Sequence, residues 1–383
     1  MKLSQRSQTP PFYAMDVLAE AQALVREGRD IIHMEVGEPS HPAPKAATDR
    51  LEAAMRRGEG LGYTSGLGIQ ELREAIAALY PLRHGIEIDP DRVVVTAGSS
   101  AGFLISFLAC FETGDRLAMA EPGYPCYRNV AQSLGIEAVP LPSTLADRYQ
   151  PTTEMLERVS PVQGLLIASP ANPTGTMLGR ARLLELVDYC ADRGVALISD
   201  EIYHGLCYED PAHSVLELTD EVVVINSFSK YWSMTGWRIG WMIVPERMVR
   251  TCQNLAQNFL ICPSHASQVA ALGALSPEGM AEVAPYIEAY AENRGLLIEV
   301  LPELGFTDIA PSDGAFYVYA GIGNLAGSST DLCKRLLHEA GVAATPGLDF
   351  DPTRGSQMIR FSYAQNPPLI AEGVKRMQQV LRG

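Results

Sequence analysis

Residues 222–230 read Val222-Val223-Val224-Ile225-Asn226-Ser227-Phe228-Ser229-Lys230. Four consecutive β-branched aliphatic residues are apolar on both faces, as a strand buried inside a parallel sheet must be. The small polar residues and the lysine after them then lie at the carboxyl end of that strand. Three other runs have the same character: Arg92-Val93-Val94-Val95-Thr96, Leu165-Leu166-Ile167-Ala168-Ser169 and Val195-Ala196-Leu197-Ile198-Ser199. Between them lie segments of helical periodicity such as 179–193. Strands alternating with helices over about residues 90–245 predict an α/β domain. Beyond about 275 the texture changes. A long amphipathic stretch, 280–301, precedes short apolar runs at 315–319 and 358–362, which predicts a smaller α+β domain.

The chain has 383 residues, 47% apolar and 20% charged, ample for a sizeable core in one large or two modest domains. No apolar run approaches the ~18 residues of a membrane span. The first sixteen residues lack the apolar core of a secretory signal, so a cytoplasmic location is expected. A net charge of −15 is ill suited to nucleic acid or to an anionic membrane. The seven cysteines are scattered, with no CxxC and no metal-ligand spacing, which reads as reduced thiols and no metal site. Cys110 and Cys190 fall in apolar helical stretches and read as core. Of the five lysines, only Lys230 closely follows a strongly apolar run.

Ligands of open α/β sheets bind beyond the carboxyl ends of the strands, so the residues at the end of each run matter most. After Thr96 come Gly98-Ser99-Ser100 and an apolar helix, which suits either a phosphate or a plain capped turn. After Ser169 comes Pro170-Ala171-Asn172-Pro173-Thr174-Gly175, where Asn172 is a turn former or an amide aimed into a crevice. After Ser199 comes Asp200-Glu201-Ile202-Tyr203, where Asp200 is a helix cap or the partner of a bound cation, since a carboxylate at a buried strand end is costly when unpaired. Lys230, with Arg238 eight residues on, is a solvated loop lysine or an amine with a depressed pKa, nucleophilic toward carbonyls. In 358–362, Arg360 faces away from Ile359 and Phe361 and needs an anion if buried, either a structural carboxylate or a ligand. Phosphate cradle, buried carboxylate, tyrosine, amide and lysine together are what pyridoxal phosphate requires.

At this point the sequence resembles the class I/II, aspartate aminotransferase-like enzymes of pyridoxal phosphate fold type I. The resemblance runs from about Ile31 to the C-terminus. It is carried by Ser227-Phe228-Ser229-Lys230 with Met234-Thr235-Gly236-Trp237-Arg238-Ile239-Gly240, and by Asn172-Pro173-Thr174-Gly175 ahead of Asp200-Glu201-Ile202-Tyr203. Val36-Gly37-Glu38-Pro39, Gly62-Tyr63, Glu121-Pro122-Gly123-Tyr124-Pro125, Gly314-Ala315-Phe316-Tyr317 and Arg360-Phe361-Ser362 stand in the family's order. The implied fold is a large domain with a mostly parallel seven-stranded sheet flanked by helices, plus a smaller α+β domain. The implied division is 1–40 as an N-terminal arm and part of the small domain, 41–275 as the large cofactor-binding domain and 276–383 as the small domain.

The resemblance also implies roles. Lys230 would carry the cofactor as a Schiff base, Asp200 would pair with the ring nitrogen, Tyr203 would donate to the ring oxygen beside Asn172, and Tyr124 would stack on the ring. Gly98, Ser99, Ser100, Ser227, Ser229 and Arg238 would hold the phosphate, joined by Tyr63 from the other subunit of a homodimer. Arg360, Asn172 and the backbone of Gly37 would bind the substrate carboxylate. The implied reaction is ping-pong transamination between an L-amino acid and a 2-oxo acid, with Lys230 moving the proton. A pyridoxal phosphate-dependent C–S β-lyase would use the same cofactor residues. A non-catalytic regulatory module would carry a helix-turn-helix domain, for which the roughly 30 residues ahead of the match are too few. Ser40-His41, His265 and Tyr231-Trp232 depart from the common pattern and leave the side-chain pocket, and hence the substrate pair, unassigned. Phe12 and Tyr13 are further candidates for that pocket, and His41 and His265 read as packing or surface residues.

Overall fold

The computed structural model describes residues 2–382. Twelve strands occur among them: β1 (Ile32–His33), β2 (Val93–Thr96), β3 (Arg116–Glu121), β4 (Glu137–Pro142), β5 (Gly164–Ala168), β6 (Ala196–Asp200), β7 (Val223–Ser227), β8 (Gly240–Ile243), β9 (Tyr317–Gly321), β10 (Val342–Ala343), β11 (Thr345–Pro346) and β12 (Met358–Ser362). Seven form one sheet in the order β2-β8-β7-β6-β5-β3-β4. Only β8 runs antiparallel to its neighbours, as the expected mostly parallel sheet requires. Every residue of β2, β7 and β8 is buried, because helices cover both faces.

Two apolar clusters fill the two sides of this sheet. One gathers Leu72, Leu165, Leu197, Val224, Trp232 and Trp241, and the other Phe103, Phe107, Leu166, Ile198, Ile225 and Met242. Alternate residues of each strand thus serve opposite cores, which is why the strands read as unbroken apolar runs. A third cluster surrounds the antiparallel sheet β11-β12-β9 and includes Ile32 and Met34. β1 pairs in parallel with β10. The segment near residue 32 therefore packs with the C-terminal part of the chain.

The element ends differ from the sequence reading where local geometry overrides the apolar pattern. Arg92 belongs to a 3₁₀ turn, and Ala315 has a left-handed φ of 58°, so its strand starts at Tyr317. The long helix runs Pro277–Glu303, with a side-chain cap from Ser276 and with Pro285 and Pro302 inside it. All seven cysteines are free thiols, with Cys190 buried and Cys110 partly so. Among the described residues, no helix is long and apolar enough to cross a membrane.

Candidate active site

The C-terminal ends of β2, β5, β6 and β7 open on one side of the sheet, and β12 of the smaller sheet brings Arg360 to the same place. Helix Ser99–Cys110 starts directly after β2 at Gly98, whose φ is 76° and which offers no capping side chain. Neither Ser99 nor Ser100 caps it, so the first-turn N–H groups stay free for a ligand. A Cβ at Gly98 would stand 2.6 Å from the Arg238 guanidinium, and one at Gly240 would stand 3.1 Å from Ser99 N. Only glycine lets the arginine and the helix start come this close. Arg238 itself is left-handed (φ 50°), held by its own Nη1 donating to Thr235 O at 3.0 Å. Ser227 Oγ lies 2.9 Å from Ser229 Oγ and accepts from Ser229 N at 3.0 Å. The arginine, two hydroxyls and an uncapped helix start make a cradle for a dianion.

Asp200 ends β6 and is 3% exposed. No helix succeeds it directly, so it is not a cap. Its carboxylate accepts from Ile202 N at 3.1 Å and from the Tyr127 hydroxyl. Burial raises its pKa to about 6, with the Tyr127 and Ile202 hydrogen bonds and the nearby Lys230 charge opposing the rise. Lys230 is part-buried, not a solvated loop residue, and its Nζ donates to Gly37 O at 2.6 Å. Desolvation, then the charges of Arg360 and Arg238, lower its pKa to about 8, with Glu38 and Asp200 pulling the other way. The amine is thus poised near neutrality, as a nucleophile needs to be.

Arg360 sits in β12, paired across the ladder with Tyr319. It is 2% exposed. Its Nη1 donates to Asn172 Oδ1 at 2.8 Å and its Nη2 to Glu35 O at 2.5 Å, while Nε is buried without a partner. Its Cζ lies 4.5 and 4.6 Å from the ring centroids of Tyr317 and Phe350. Among the described residues no carboxylate comes within the 4.0 Å of an ion pair. Of the two readings of Arg360, a carboxylate in direct contact is therefore absent: the buried Asp349 acts on the guanidinium only at longer range, and no ion pair closes on it.

Tyr203 is buried, its hydroxyl 2.8 Å from that of Tyr317. Tyr124 is half-buried, edge-on to Tyr127 at 5.4 Å and to Phe12 at 6.1 Å. Tyr13 N and Ala14 N donate to the Asp349 carboxylate at 2.7 and 2.8 Å, which ties the N-terminal segment beside Phe350. Tyr63 is the exception. It is 87% exposed, its neighbours Gly62 and Thr64 bond to His265 and Cys262, and among the described residues no hydrogen bond ties it to the cradle. His41 stacks on Tyr286 at 4.0 Å and 5°, and burial lowers its pKa, as a packing residue.

Sequence reasoning missed Tyr127, Tyr317 and the Glu35 carbonyl that holds Arg360. Tyr127 could have been found, since it lies one helical turn beyond Tyr124 and so shares its face.

A family model described as aminotransferase class I and II matches residues 29–377. The chain is 45% identical, over 98% of its length and 97% of the relative's, to valine–pyruvate aminotransferase of Mycobacterium tuberculosis. It superposes on the crystal structure of an aminotransferase from the same organism with a TM-score of 0.97 at 45% identity, covering 100% of this chain and 99% of that one. The aspartate aminotransferase of Thermus thermophilus with maleate matches with a TM-score of 0.93 at 30% identity, over 99% of this chain and 100% of that one.

Proposed function

We propose, for a chain that belongs to the class I and II aminotransferases, that its amino transfer runs in two half-reactions on the one site described above, the donor leaving as its 2-oxo acid before the acceptor enters. The convergence of three groups carries the reading: the low-pKa amine of Lys230, the buried carboxylate of Asp200 and the guanidinium of Arg360, which has no carboxylate in direct contact. The relatives named above are all aminotransferases, which does not favour the C–S lyase alternative.

These residues fit pyridoxal phosphate. Ser99, Ser100, Ser227, Ser229, Arg238 and the backbone at Gly98 would hold the phosphate, Asp200 would face the ring nitrogen, and Tyr203, Asn172 and Tyr124 would border the ring. When bound, pyridoxal phosphate supplies a carbonyl carbon for the amino group and a ring that accepts the electron pair freed at the donor's Cα. Asp200, anionic above about pH 6, keeps a cation beside it and so favours that electron flow. Arg360 and Asn172, with the backbone of Gly37, fix the donor's carboxylate, which sets the Cα–H bond toward Lys230. Lys230 Nζ takes that proton as general base and returns a proton as general acid.

Arg360 is flanked by the rings of Tyr317 and Phe350, and Phe12 packs on Tyr124, a wall suited to an aliphatic side chain. With the name of the 45% identical relative, this supports valine as donor and pyruvate as acceptor. Tyr63 would act in a second copy's site within a homodimer. Its exposure, with that of Phe259 (57%) and Ile261 (52%), leaves an apolar surface for that copy to cover. Residues 1–40, 41–275 and 276–383 are read as arm, large domain and small domain, with the site at their junction.

Lys230→Ala is the first test. With added pyridoxal phosphate it should show no visible band of lysine-bound cofactor and no turnover, and normal activity in this variant would refute the assignment. A panel of amino donors against pyruvate and 2-oxoglutarate tests the substrate pair. A preference for aspartate over valine would overturn it.

A further inference from the structure

Three parts of the site meet at Tyr317, which opens β9 and is 1% exposed. Its hydroxyl lies 2.8 Å from that of Tyr203. Its ring supports the Arg360 guanidinium at 4.5 Å. A Cβ at Gly37 would stand 1.9 Å from the Tyr317 hydroxyl, so glycine alone admits this phenol, and the same glycine's carbonyl holds Lys230 Nζ. Ser312 Oγ donates to the Tyr317 carbonyl at 2.7 Å, and the edge-on rings of Tyr203 and Phe316 pack against its own. The phenol is fixed at both ends.

We propose that Tyr317 is a positioning residue for both halves of the reaction, its hydroxyl donating to Tyr203 and its ring holding Arg360 in place for the substrate carboxylate. The inference rests on the cofactor reading above. Tyr203 has one hydroxyl proton. When that proton goes to the cofactor's ring oxygen, the Tyr203 oxygen is free to accept, and Tyr317 is the donor at hand. A hydroxyl that accepts a hydrogen bond donates more strongly through its own proton. On its other side, a guanidinium with an unpartnered Nε and few fixed bonds gains orientation from the flat ring beneath it. A buried tyrosine kept only for packing would need neither relation.

Two variants of the holoenzyme separate these parts. Tyr317→Phe keeps the ring and removes the hydroxyl. The pH midpoint of the visible cofactor band should rise by about half a unit, a fraction of what one whole neutral hydrogen bond is worth, because the ring oxyanion loses stabilisation. KM for the amino donor should stay within about two-fold, because the cation–π support remains. Tyr317→Met fills the volume without a ring, and should raise that KM about five- to ten-fold as the support is lost. An unchanged midpoint in the Phe variant overturns the hydroxyl's role, and an unchanged KM in the Met variant overturns the ring's. If the Met variant does not fold, Tyr317→Leu reads the same KM. The wild-type protein is measured first: absence of any visible band with added pyridoxal phosphate would refute the cofactor reading itself, before either variant is made.

Discussion

Replacing Asp200 by Asn should stabilise the cofactor-free protein while crippling the enzyme. Asp200 is 3% exposed, and burial lifts its pKa from 3.8 to about 6. The shift of about 2 units, at ~1.4 kcal/mol each, means the ionised side chain costs the fold on the order of 3 kcal/mol. Linkage fixes the sign. The folded state holds this proton more tightly than the unfolded state, so the stability it confers is complete below pH 3.8 and is lost as the pH rises through about 6. At pH 8 the anion is fully penalised, and at pH 5 only about half of the penalty remains. Asn carries no charge at either pH. It keeps one acceptor for Tyr127 or Ile202 and forfeits the second bond, a pH-independent loss of about 1 kcal/mol. The net gain of Asp200→Asn should therefore be ~2 kcal/mol at pH 8 and smaller by ~1.4 kcal/mol at pH 5. Urea unfolding of both apoproteins at the two pH values measures this. A gain that is the same at pH 5 and pH 8, or a loss at pH 8, would refute the reasoning that Asp200 is a desolvated anion awaiting a cation. Turnover should fall with the substitution, because a neutral amide does not hold the ring nitrogen protonated.

Two other outcomes are expected. Arg360→Met should lower kcat/KM for the amino donor about 10²- to 10³-fold, as a buried charge pair with the carboxylate is lost; a kcat/KM equal to that of the wild type would place the substrate carboxylate elsewhere. Mixing inactive Lys230→Ala with a Tyr63 variant of low activity should restore turnover after subunit exchange, since one hybrid site then has both native residues, and no recovery would place Tyr63 outside the neighbouring site.

Much of this architecture is legible in the sequence because burial on two faces leaves a one-dimensional trace. Val222 to Ile225 could not be so uniformly apolar on a half-solvated strand. The residues after each run were also legible, since strand ends collect ligands, and Asp200 and Lys230 stand where a charge has to be explained. What the sequence hides is pairing at a distance. Arg360 and Asn172, 188 residues apart and meeting at 2.8 Å, are brought together by the family resemblance and by no pattern in the residues themselves. Glu35 helps hold Arg360 through its backbone carbonyl, which no side-chain pattern announces. Tyr317 sits in a recognisable run, but its bond to Tyr203 exists only because the turn that follows β6 packs into the apolar cluster around β9. Gly98 took the capping position assigned to Ser99 or Ser100, because Arg238 occupies the space a side chain there would fill.

The central claim is that Lys230, among the five lysines, bonds the cofactor. Borohydride reduction of the protein loaded with pyridoxal phosphate, and then peptide mass mapping, tests it directly. One pyridoxyl group on Lys230 is the predicted result. A modified Lys2, Lys45, Lys334 or Lys375 with Lys230 unlabelled, or no stoichiometric label at all, would contradict it.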